Sequence, residues 1–236
     1  MRTLLTLSYS DLCSTFREPI FRLLIFFPFF SFAIIRWGYP AILNLYPPIE
    51  PYSQVILMWA CLQSATLFGF IYGFIFLEEK EENIWQAIQV LPISGFNLVT
   101  SRLLVGILIS TLVNFTLIHW GGIEHFEIWK EIIVALHFSF TAPLIALYIG
   151  AFARNKIEGL AQIKVINILV LIPAVIYFIP YKITFVSAII PTFWSFRSLE
   201  LANGSLPKFG IHLIVGTLWY LIVFYLLHRR LKNFSN

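Results

Sequence analysis

The sequence predicts an all-α integral membrane protein of six transmembrane helices, and three observations carry that prediction. Of its 236 residues, 59% are hydrophobic and only 12% charged, about half the charged share of a soluble domain. The apolar residues gather into six runs, each near the ~20 residues that an α-helix needs to cross ~30 Å of hydrocarbon. Lys and Arg divide unequally between the two sets of loops, as the positive-inside rule requires of a multi-pass chain. A mean hydropathy of +0.83, with 24 Phe, 10 Tyr and 7 Trp, fits the same class. One membrane domain over residues 1–236 is expected.

The elements follow in order. In residues 1–18, Leu4, Leu5, Tyr9, Leu12 and Phe16 recur at helical spacing among polar residues, the pattern of an amphipathic helix lying in the interface. No small-residue cleavage site follows the first apolar run, so that run reads as a retained span rather than a signal peptide. The six spans are expected at 21–39, 53–77, 103–120, 132–152, 163–179 and 211–227. Between them, 38–51 and 121–131 read as short outer caps whose Pro, Tyr and Trp suit the membrane interface. Segment 181–208 is apolar, but its runs are too short to cross. It is expected as a re-entrant or interfacial hairpin, which at membrane depth must be buried in protein or line a cavity.

Orientation comes from the basic residues. Arg2, Arg17, Arg22, Lys80, Arg102, Arg154, Lys156, Lys164, Arg229, Arg230 and Lys232 fall on one side, and Arg36, Lys130, Lys182, Arg197 and Lys208 on the other. Eleven against five places both termini in the cytoplasm of a plasma (inner) membrane protein. The net charge of +4 is explained by the same bias, so nucleic acid is not an expected partner and the lipid bilayer is.

The segment 78–98 is the most informative. A span ends in Glu78, Glu79, Lys80, Glu81 and Glu82, after which Ile84, Ala87, Ile88 and Leu91 fall on one helical face and Pro92 ends the pattern. A short amphipathic helix across the cytoplasmic mouth has the shape needed to dock into a partner's groove. A solvated stop-transfer face is the plainer alternative for the charges, and Trp85 could equally anchor at the headgroups.

At these residues the chain resembles the ABC-2 type permeases, and within them the fluoroquinolone-exporter-like permeases. Their cytoplasmic pattern runs Glu, a basic residue, any residue, Glu, Gly, Thr, Leu, with a small residue and Pro further on. Here it reads Glu79, Lys80, Glu81, Glu82, Asn83, Ile84, Trp85, then Leu91, Pro92, Ile93 and Ser94. The Gly-Thr pair is replaced by Asn83-Ile84, which keeps a residue able to cap a helix. A second-span FGFIYG, a fourth-span exit AFARNKIEGL and an outer IPTFW extend the likeness over most of the chain. The resemblance implies a half-transporter that pairs with a second copy or a paralogue. It also implies docking of a separate ABC ATPase, which would hold ATP and Mg, through Glu79, Glu82, Asn83, Trp85, Gln86 and Pro92. Arg154, Lys156 and Glu158 are candidates for a second coupling contact.

Other residues qualify on chemistry alone. Gln63, Asn114, His137 and Asn167 are polar within spans, and such residues are candidates for a translocation path, or else bond to a neighbouring helix. Gly69 and Gly73 form a GxxxG, a possible dimer contact. No GxxxxGK[ST] loop, HExxH or nucleophile triad is present, so no enzymatic activity and no cofactor of its own are expected. Cys13 and Cys61 lie far apart with no CxxC, supporting neither a disulfide framework nor a metal site. His119, His125 and His212 fall towards the outer face and keep open a haem-exporter-like permease. An ion-driven secondary transporter would call for a midplane charge and inverted repeats with broken helices, neither of which is visible.

Overall fold

A computed structural model of the chain describes residues 19–82, 84, 95–175, 178 and 186–234. The expected interfacial helix at 1–18 lies outside them, as do Asn83 and residues 85–94 of the expected coupling helix. Among the described residues the elements are α1 (Pro19–Ala33), a π-helix (Ile34–Gly38), α2 (Tyr39–Leu45), a 3-10 helix (Pro47–Tyr52), α3 (Ser53–Glu81) and α4 (Gly95–Gly121). They continue as α5 (Ile128–Ser139), α6 (Thr141–Phe152), α7 (Lys156–Val175), α8 (Thr192–Leu201) and α9 (Leu206–Phe234), with no strand.

Six of these stretches are long and apolar enough to cross a membrane: Phe26–Leu45, Pro47–Glu81, Asn97–Gly121, Ile128–Phe152, Lys156–Ala174 and Leu206–Arg230. The chain is therefore a multi-pass, all-α membrane protein, as its sequence predicts. The helices overrun the expected spans because hydropathy marks only the part in hydrocarbon, while backbone hydrogen bonding continues into the polar headgroup zone. The 29 residues of α3 extend ~44 Å at 1.5 Å per residue, well beyond ~30 Å of hydrocarbon. Its last turns therefore stand clear of the core of the bilayer.

One outer expectation needs correction. Segment 38–51 is not a cap loop. The first span runs on through a π-turn, closed by Tyr39 N–H to the Ile34 carbonyl, and through α2 to Leu45. Pro40 is tolerated there because it sits in the first turn of α2, where its missing N–H would have had no partner in that helix. In segment 181–208, residues 181–185 lie outside the described residues. Of the rest, 192–201 form α8 and 206–208 already belong to α9. Ten residues span only ~15 Å, too short to cross. Thr192, Phe193, Ser195, Phe196, Ser198 and Leu199 of α8 are all buried.

The core is built around α3 and α6. A Cβ added at Gly69 would meet the Ala142 carbonyl oxygen at 2.6 Å and Ile145 Cβ at 2.7 Å, and one at Gly73 would meet Ile149 Cβ at 2.9 Å. Without side chains at these two positions the helices approach closely enough for Phe70, Phe74, Ile145 and Ile149 to pack in one cluster. The GxxxG face expected at a dimer contact is thus filled from within the same chain. The fourth span is interrupted at Phe140, between α5 and α6. Pro143, in the first turn of α6, has no N–H to give the Ser139 carbonyl, and Ser139 Oγ donates back to the Ala135 carbonyl at 2.7 Å. The outward residues of α4, α7 and α9, such as Leu108, Leu112, Ile168, Ile214, Leu218 and Leu221, are exposed and apolar, the surface of a protein solvated by lipid.

Candidate functional site

The acidic residues 78–82 close α3 instead of opening a separate helix, since α3 continues to Glu81. A helix C-terminus disfavours negative charge, so each carboxylate in that last turn calls for a cationic or N–H partner. Arg102 of α4 meets Glu79 through two bonds, Nη1 to Oε2 and Nη2 to Oε1, both 2.7 Å, with both side chains at least nine-tenths buried. Lys156 Nζ lies 2.8 Å from Glu78 Oε1, and the Lys156 backbone N–H donates to Glu81 Oε1 at 2.8 Å. Lys80 Nζ donates to the Ala153 carbonyl at 3.2 Å.

These bonds bring together two regions that lie some 75 positions apart in sequence. The turn that joins α6 to α7 is itself built by a cap. Asn155 Oδ1 accepts the Glu158 N–H at 2.8 Å and Glu158 Oε2 accepts the Arg154 N–H at 2.9 Å, a reciprocal arrangement of the capping-box kind. Gln162 Nε2 adds a bond to Glu158 Oε1 at 3.3 Å. At the same end Arg230 of α9 stacks 4.3 Å over the Phe152 ring. The end of α3 and the α6–α7 turn therefore form one polar surface at the acidic end of the bundle, with Glu81, Glu82, Arg154 and Asn155 exposed on it.

Glu79 does not belong to that exposed surface. It is 8% exposed, turned inward onto Arg102, and unavailable to a docked protein. Its expected role as a direct contact is corrected by this geometry. Asn83, Trp85, Gln86 and Pro92 lie outside the described residues. Arg102, counted from the sequence only among the orientation charges, is the buried partner that lies beneath this surface. In the sequence it shows only as a basic residue 23 positions after a carboxylate.

The four polar span residues lie on four different helices. Asn114 on α4 is fully buried and donates from Nδ2 to Ser139 Oγ at 3.1 Å, while its Oδ1 has no partner among the described residues. His137 lies two positions before Ser139, so its side chain points away from that face of α5. It sits edge-on to Tyr220 of α9, ring centroids 5.4 Å apart. A Cβ on Gly216 would come within 2.8 Å of its Nε2. Around it the Tyr220 hydroxyl bonds Thr141 Oγ1 at 3.0 Å and Ser195 Oγ at 2.9 Å, and Ser195 also donates to the His137 carbonyl at 3.1 Å. This network, which joins α5, α6, α8 and α9, was not foreseen. Gln63 and Asn167 are half-buried on α3 and α7. Bonds of this kind within a membrane average about 0.6 kcal/mol, so Tyr220→Phe, which removes two, is expected to lower stability by about 1 kcal/mol. Thermal unfolding in detergent checks it.

At the opposite end, Glu124 ties the α4–α5 connection to the start of α3 and to the α8–α9 connection by accepting from Gln54 Nε2 at 2.9 Å and Asn203 Nδ2 at 3.2 Å. Buried Glu131 takes His119 Nδ1 at 2.7 Å. Exposed Glu127 accepts from the Trp129 indole N–H and pairs with Lys130. The Trp129 bond first, then the Lys130 bond and its charge, hold its carboxyl below the usual carboxylate range. A lowered pKa means that this contact holds at neutral pH and is lost on strong acidification. His119 is engaged by Glu131 and His212 by the Lys208 carbonyl, and no group of three metal-ligating side chains occurs among the described residues.

Comparison with known proteins gives this geometry its context. The family described as fluoroquinolones export permease protein Rv2686c-like matches residues 11–228. The chain belongs to that family. Two relatives from Mycobacterium tuberculosis carry the name fluoroquinolones export permease protein: MT2760 of strain CDC 1551 / Oshkosh and Rv2686c of strain ATCC 25618 / H37Rv. Each is 21% identical over 246 aligned positions, covering 98% of this chain and 94% of the relative. No solved structure matches the chain. As a member of this family it is a multi-pass membrane permease of an exporter.

Proposed function

We propose that this permease is the membrane-spanning subunit of an ATP-driven, ABC-2 type exporter that removes amphipathic aromatic compounds of the fluoroquinolone class from the cytoplasm. The observation that carries the proposal is the single polar surface made by the end of α3 and the α6–α7 turn, tied together by Lys156 to Glu78 and Glu81. An exporter powered elsewhere needs such a place, where motion of a soluble partner is passed to more than one span. The acidic end faces the cytoplasm of the plasma membrane, with both termini there. A separate ABC ATPase docks on segment 78–98 and on Arg154, Lys156 and Glu158, and binds ATP and Mg itself. The chain performs no chemistry and carries no cofactor. A second copy or a paralogue completes the translocation path, and the buried arm α8 of segment 181–208 is part of a re-entrant element beside it.

In mechanism, nucleotide binding favours one of two arrangements of the docked ATPases, and the permease shifts population with them because the docking contacts differ between its inward and outward states. Two tests follow. Inside-out vesicles carrying the permease and its ATPase are expected to accumulate a fluorescent fluoroquinolone when ATP is added, also after the proton gradient is collapsed. Uptake that instead follows the gradient and ignores ATP would place the chain among secondary transporters. Glu82→Lys is expected to leave membrane insertion unchanged and to reduce permease-stimulated ATP turnover at least tenfold, read by phosphate release. Unchanged turnover sinks the docking assignment.

A further inference from the structure

We infer that the Glu79–Arg102 pair is a positioning device, a buried staple that makes α3 and α4 move as one body when the segment between them is pushed. The inference rests on the coupling reading above and concerns residues that no docked protein would touch. Glu79 lies two positions before the end of α3, and Arg102 two turns into α4. The coupling segment is the chain strung between them. A force on that segment can do two things: shear the two helices past each other, or shift them together. Which of these happens depends on what joins the helices immediately above the segment.

The join is of a particular kind. Two parallel bonds of 2.7 Å between a planar guanidinium and a carboxylate fix both separation and relative rotation, a constraint that a single ammonium or an apolar contact does not impose. Tyr72, Phe76, Val99 and Leu103, which belong to the same two helices, pack with Ala146 and Leu147 into a buried cluster. Excluding water leaves the pair in a low dielectric, where the bond is stronger and slipping would strand a charge. Apolar packing alone would resist separation of α3 and α4 but not sliding, since the hydrophobic effect has no direction. The neighbouring carboxylates Glu78, about a third exposed, and Glu81 bind the α6–α7 turn instead. The staple thus sits between a docking surface and the spans that must respond to it.

The test uses the complete complex of permease and ATPase in liposomes, with a fluoroquinolone as the transported probe. Thermal stability, ATPase recovery and drug moved per ATP hydrolysed are measured together. The doubly apolar variant E79L/R102M leaves no unpaired charge. It is expected to fold and to recover ATPase within twofold of wild type, yet to move at least tenfold less drug per ATP. The reversed pair E79R/R102E is expected to regain transport to within about threefold, and Arg102→Lys, which keeps the charge but loses the fork, to fall between. Transport per ATP within twofold of wild type in E79L/R102M, or in Arg102→Lys, overturns the inference. So does loss of ATPase recovery in the apolar variant, which would make the pair a shaper of the docking surface. If wild type recovers no ATPase, the coupling reading itself fails and takes the staple with it, an outcome distinct from variants that dock and transport normally.

Discussion

Arg102→Met alone is expected to destabilise the permease by about 3–5 kcal/mol, the cost of leaving a buried carboxylate with its partner removed. Glu79 and Arg102 are both buried, on the same two helices as the buried Phe76 and Leu103, so water cannot easily replace the guanidinium. The doubly apolar variant described above removes both charges, and replacing a buried pair by apolar groups of similar volume is often neutral. The two variants therefore separate sharply: the single change lowers the melting temperature in detergent and the yield of monodisperse protein, while the double change moves either little. Equal melting temperatures for wild type and Arg102→Met would mean that the pair is hydrated and contributes little.

Gly69→Val is expected to be as damaging, by a different route. The added Cβ would meet the Ala142 carbonyl oxygen at 2.6 Å, and a backbone atom cannot rotate away as a side chain can. Overpacking a core costs about 1–3 kcal/mol where side chains yield, and here α3 and α6 must separate. Parting them would loosen Phe70, Ile145 and Ile149 along the whole interface, so a loss towards or above the upper end of that range is expected. It should be visible as aggregation in size-exclusion chromatography after mild heating. Gly73→Ala meets a side chain, Ile149, at 2.9 Å and should be milder. If Gly69→Val instead leaves the monomer intact and only disrupts a dimer, the α3–α6 pairing is wrong and the face is an intermolecular one.

How much of this was legible in the sequence depended on which property was being read. The six spans were legible because burial in hydrocarbon is a property of composition over ~20 residues. Helix ends were not, because hydrogen bonding carries α3 through Glu78–Glu81 and starts α7 at Lys156, past the point where hydropathy stops. That is also why the loop expected between the spans at 132–152 and 163–179 shrinks to a capped turn, in which Asn155 and Glu158 cap a helix that already starts at Lys156. The GxxxG at Gly69 and Gly73 announced a close helix pair but not whose helix, a question of tertiary arrangement. Pairing itself was the least legible feature. Nothing local tells that Glu79 turns inward to Arg102 while Glu78 turns to Lys156, since neighbours on a helix point about 100° apart and only the packed bundle decides what each meets. The Tyr220, Ser195 and Thr141 network was missed for the same reason, being assembled from three helices that each look merely apolar.

The measurement that bears most directly on the proposed coupling is a mild-detergent pull-down of the tagged permease from its native membranes, with the recovered proteins identified and counted. A soluble ABC ATPase present in equal number to the permease, lost with Glu82→Lys and accompanied by vanadate-sensitive ATP hydrolysis, is the expected result. Recovery of the permease alone, with no such hydrolysis under conditions where it still moves drug, would contradict it.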